Sequence, residues 1–148
     1  MLIKKKGKFL RLKSAVQISL VAMFIVGCVE TNVQPLTRTS FKIATEAEDL
    51  CGASGTRQIA FQSAAIEVIK RGADRFIVVG DQSRSAVSGG YFTDFVSFET
   101  YGTNSQDMVI QVVNKSDPNY GNALSARQTL GANWQEIVAK GSSDNCLQ

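Results

Sequence analysis

The chain contains no histidine. That absence removes Ser-His-Asp and Cys-His nucleophilic catalysis together with histidine-based zinc sites. Carboxylates, serines, lysines and three cysteines remain. Glu67 and Lys70 lie three apart on the main expected helix, where such a pair is solvated and worth roughly 0.2–0.5 kcal/mol. Asp94 and Glu99 lie five apart on an expected strand, so they face opposite sides of a sheet and cannot act as a carboxylate pair. Ser63, Ser85 and Ser125 show no general-base partner. Gly52-x-x-Gly55 before a helix has the outline of an anion-binding turn, but lacks the preceding buried strand and the spacing of a nucleotide loop; it is a loop and helix cap. No residue is nominated as catalytic, cofactor-binding or metal-ligating, and the expectation is a protein that is not an enzyme and uses no cofactor.

The cysteines carry more information. Residues 1–13 include Lys4, Lys5, Lys6, Lys8, Arg11 and Lys13 and no acid, and Ala15 to Gly27 is apolar apart from Gln17 and Ser19. This is the charged and then apolar layout of a secretory signal, shorter than the roughly 20 residues of a comfortable membrane span. It closes on Ile25-Val26-Gly27-Cys28, which resembles the lipobox of bacterial lipoproteins. The resemblance implies that the preceding peptide is removed and Cys28 becomes an acylated N-terminus. An uncleaved anchor has no need of the Gly-Cys pair, and a plain secreted protein more often shows an Ala-x-Ala type site. The expected division is a signal peptide over 1–27, a lipidated tether over 28–38 and one domain over 39–148. The resemblance also implies a place in the cell envelope. Val29 is not the aspartate that often signals inner-membrane retention, so the expected anchor is in the outer membrane, facing the periplasm.

Processing changes the charge. From Cys28 onward ten Lys and Arg face thirteen Asp and Glu, so the remaining 121 residues carry −3. The basicity of the whole chain belongs to the leader, and nucleic-acid binding has no electrostatic footprint. With Cys28 assigned to lipid, Cys51 and Cys146 are left in an oxidising compartment. A disulfide between them is the economical expectation; two free thiols or an intermolecular bond are the alternatives.

These sites need a scaffold. Residues 29–38 are polar, include Pro35 and show no apolar period. Thr39 to Thr45 alternates as a half-buried strand does. Thr56 to Arg71 has the apolar spacing of an embedded helix, with Ser63, Glu67, Lys70 and Arg71 on its polar arc and Gly72 as the terminating glycine. Phe76 to Gly80 is a continuous β-rich run, expected to be the central strand, and Asp81 to Gly90 is expected to be a Ser/Gly-rich loop. Tyr91 to Tyr101 is an aromatic strand, Gly102 to Ser105 a turn and Met108 to Val113 a further strand. Asn122 is a candidate cap for a short helix ending at Gly131, and Trp134, Ile137 and Val138 mark another ending at Gly141. The expected class is α+β: an antiparallel sheet of about four strands, one main helix on one face and short C-terminal helices.

The aromatic run places Tyr91, Phe95 and Tyr101 on one strand face and Phe92 and Phe98 on the other. One face is expected to pack the helix. The other, taken as the one with Tyr91, Phe95 and Tyr101, is a candidate partner surface unless a loop, the Trp134 segment or the crossing chain covers it. Cys51-Gly52 with Ala64 to Ile77, and Ala123-Leu124-Ser125-Ala126-Arg127 before Leu130-Gly131, resemble small lipoproteins of proteobacteria, apart from Ala73 where a larger aromatic is common. That family offers no reaction to carry over. The expectation is a membrane-anchored envelope lipoprotein with a structural or protein-interaction role, its partners being the membrane and an envelope protein. A ligand-binding or stress-sensing module comes second, and an enzyme third.

Overall fold

The computed structural model describes residues 28–94, 97–143 and 146; residues 1–27, where a signal peptide is expected, and Phe95 lie outside them. The fold is α+β. Strands β1 (Val29–Pro35), β2 (Ser40–Glu48), β3 (Arg75–Phe92), β4 (Phe98–Val113) and β5 (Leu124–Ser125) form one antiparallel sheet in the order β1-β2-β4-β3-β5. Helix α1 (Gly52–Lys70) covers one face, and short helices α2 (Ala126–Leu130) and α3 (Trp134–Lys140) follow. The central strand is therefore β4, not the Phe76–Gly80 run. No helix among the described residues is long and apolar enough to cross a membrane.

The core forms because α1 presents small residues to the sheet. Ala60, Ala64 and Ala65 let the helix approach closely, and Ile66 and Val68 fill the rest. Phe41, Ile43, Phe76, Met108 and Ile110 meet them with no exposed surface. The helix ends as expected: Gly72 adopts φ 79°, its N–H bonds to Ile69 O, and Ala73 N–H bonds to Val68 O, satisfying two terminal carbonyls. Its start lies four residues earlier than expected, at Gly52. Thr56 lies inside its first turns, with its hydroxyl buried and donating to Gly52 O. Ser63 is not on a polar arc but buried, and among the described residues its Oγ is the buried side-chain atom without a hydrogen-bond partner. Glu67 pairs with Arg71 at 2.8 Å rather than with Lys70.

Three segments depart from the sequence reading. Val29–Pro35 is not a free tether; it pairs with Phe41–Ala47 over seven rungs as an edge strand, with Pro35 at the strand end, where a missing N–H costs least. Asp81–Gly90 is not a loop but part of β3, held against β4 with one register shift just before it, between Val78 and Gly80, and one within it, between Val87 and Gly89. Gly102–Ser105 is not a turn but part of β4. The turn is at Thr93–Ser97, where Thr93 N–H bonds to Ser97 O and Ser97 N–H bonds to the Asp94 carboxylate. At the C-terminal side, Ser125 rather than Asn122 caps α2, accepting from Gln128 N–H.

Candidate functional site

Reading across the helix-facing side of β1, β2, β4 and β3, the rungs change character in steps. Pro35, Phe41, Ile110 and Val78 form an apolar rung, followed by Val33, Ile43, Met108 and Asp81. The next is polar: Thr31, Thr45, Gln106 and Ser83. Gln106 is buried and saturated, donating to Asp81 and Gln82 O and accepting from Ser83. Asp81 also pairs with Arg57 of α1. One rung on, Asn104 donates to Asp49 at 3.3 Å and accepts from Ser85 at 2.7 Å. These bonds satisfy one another, so the network is a structural seal at the N-terminal end of α1.

Beyond that seal the hairpin leaves the body. β2 ends at the Glu48–Thr103 pair, but β3 and β4 continue together through Val87–Gly102 to Phe92–Phe98. Tyr91 and Tyr101 lie on one side of this arm and Phe92 and Phe98 on the other, rings 4.9 Å apart. The expected division into two aromatic sets holds for these four, but the expected packing does not. The helix does not reach them, and all four are exposed, Phe92 by 74%. Trp134 does not cover them either; it packs against the core with Arg127 over its ring at 4.9 Å. Gly89 faces Tyr101 so closely that a Cβ would stand 2.5 Å from its hydroxyl, and a Cβ at Gly90 would likewise strike Phe98. The two glycines let both rings lie flat along the arm.

Cys28 is exposed and borders the groove shared by Glu48 and Thr103, at the end of the sheet from which the arm projects. Cys51 and Cys146 form the expected disulfide, with Cα atoms 5.3 Å apart, joining the start of α1 to a residue 95 positions on. Val87 and Leu50 are further exposed apolar residues at this end, which the sequence reading did not single out. A lone valine and a lone leucine in polar surroundings carry no periodic signal.

The rest of the surface offers less. A groove of about 470 Å³ between α1 and α3 is lined by exposed groups such as Asn133, Glu136 and Lys140. The salt bridge to Lys140 holds the Glu136 carboxyl below its usual range. Near β5, Tyr120 donates to Asp74 at 2.7 Å, which raises the phenol above its usual range, and Arg75 clamps the same turn through Tyr120 O and Ala123 O. Among the described residues no group of three or more Cys, Asp or Glu could hold a metal ion. No protein-family model, curated protein or solved structure matches the chain.

Proposed function

We propose that this protein is a lipid-anchored component of the cell envelope, attached through Cys28 to the outer membrane on its periplasmic side, with a structural or interaction role rather than a catalytic one. The observation that carries the reading is the apolar segment ending on Gly27-Cys28, one residue before a paired strand begins. An acylated Cys28 holds the folded body directly at the lipid surface, without the flexible spacer that a tether over 28–38 would give. The disulfide fits an oxidising compartment. The interaction role rests on the aromatic arm, whose Tyr91, Phe92, Phe98 and Tyr101 are all exposed.

Mass spectrometry of the protein extracted from membranes is expected to find a diacylglyceryl group on Cys28 as the first residue. Cys28→Ser is expected to leave the membrane fraction. An intact Met1 terminus, or a Cys28→Ser protein that still sediments with membranes as the parent does, overturns the reading.

A further inference from the structure

We infer that the β3–β4 arm rests on the same lipid surface that anchors Cys28, with Tyr91, Phe92, Phe98 and Tyr101 at headgroup level. The inference rests on the lipid anchor proposed above and names the lipid bilayer as the partner of the arm.

Position carries the argument. The 27 residues that precede the described structure end at Gly27 and lead into Cys28, so whatever holds the chain there lies at that end of the sheet. Cys28 stands level with the Glu48–Thr103 pair, because Val29 pairs with Ala47 and Ala47 with Asn104. From that level the arm runs on from Gly102 to Phe98, about 17 Å at roughly 3.3 Å per residue. Two strand-to-strand twists separate β1 from β4 and incline the arm by roughly 45° to β1. An arm of that length, beginning at the level of a surface-held Cys28 and pointing the same way, has to enter the interface or lie along it. A body on a free ten-residue tether would be under no such constraint, but here β1 starts at residue 29.

Chemistry agrees with the geometry. Tyrosine hydroxyls on one side and phenylalanine rings on the other suit a boundary that is wet on one flank and apolar on the other. The flattened rings over Gly89 and Gly90 widen that contact. The arm also carries Asp94 and Glu99 and no lysine or arginine. Carboxylates are costly in hydrocarbon, which sets the depth at the headgroups and not below. The same charges disfavour a strongly anionic surface.

The test uses the lipidated protein in vesicles of phosphatidylethanolamine with a minor share of phosphatidylglycerol. Chymotrypsin cuts after exposed aromatics, so the arm of the unlipidated Cys28→Ser protein is expected to be cleaved at Tyr91 to Tyr101. The vesicle-anchored parent is expected to lose that cleavage. In a Trp134→Phe background, a Phe92→Trp reporter is expected to shift to the blue and be quenched by bromines placed near the headgroups. A Leu124→Trp reporter, on the far end of the sheet, is expected to do neither. Cleavage of the anchored arm at the rate of the Cys28→Ser protein, or an unquenched Phe92→Trp reporter, overturns the inference while leaving the anchor standing. Crosslinks from the arm to a protein instead of lipid overturn it equally. Absence of lipid on Cys28 by mass overturns both readings, so the two failures are told apart.

Discussion

Phe76 and Ile110 have no exposed surface, whereas Phe92 and Phe98, on the same two strands, are 74% and 53% exposed. The same β3–β4 ladder joins these regions, with two register shifts on β3 between them. What changes is the cover. Over Arg75–Asp81 the hairpin has α1 on one face, and the large side chains that meet it, Phe76 above all, contribute burial to folding. Over Val87–Phe92 the arm has neither α1 nor β2, and its aromatics bury little. A hairpin of two strands alone is marginal in water. The arm is held because its ladder continues from a body that is already folded. Side chains there are under little demand from stability, which makes four exposed aromatics among the described residues of the arm a sign of use rather than of folding.

Substitutions can break this contrast. The largest effect is expected in the body: Ile66→Asp puts an unpaired charge where Ile66 is 4% exposed, and is expected to unfold the domain, read as loss of helical circular dichroism. A variant melting within a degree or two of the parent would mean that α1 does not pack on the sheet. An intermediate effect is expected at the junction. The paired replacement of Cys51 and Cys146 by alanine removes a closure of 95 positions and is expected to cost about 2–4 kcal/mol in denaturant titration, with the arm unchanged. The smallest is expected in the arm. Phe92→Ser loses one cross-strand aromatic pair, about 1 kcal/mol or less, and Tyr91→Ser is expected to lie within about 0.5 kcal/mol of the parent. If Tyr91→Ser melts like a core variant, the arm is covered and the contrast fails.

The same boundary separates what could be read in the sequence from what could not. In the body, side chains announce their own role. Ala64 to Val68 buries, Gly72 stops the helix, and Thr39 to Thr45 alternates because one face of β2 lies under α1. Cys51 and Cys146 pair because two cysteines were left once Cys28 was set aside. Toward the arm the cues invert. Asp81–Gly90 is polar and glycine-bearing and exposed along most of its length, so nothing in its own residues marks it as strand; β4 supplies that. Gly102–Ser105 has turn composition, yet Gly102 and Asn104 continue the buried alternation of Gln106, Met108, Ile110 and Val112. Following that period backwards would have found the strand. Val29–Pro35 alternates only weakly, with Val29, Thr31, Val33 and Pro35 on the face shared with Ala47, Thr45, Ile43 and Phe41, and its polar composition hides that period; its membership of the sheet comes from β2. The candidate surface was legible as residues and as two faces. That neither face meets the helix depends on where α1 begins, which no local pattern in Tyr91 to Tyr101 encodes.

The seven-rung pairing of β1 with β2 also fixes how the domain bears a load. A pull on residue 28 directed along β1 can free it only by sliding it past β2. In that shear geometry the rungs resist together, whereas a pull across the strand would open them one by one like a zipper. An attachment at Cys28 therefore places the mechanically stiff direction of the sheet in line with the point of traction.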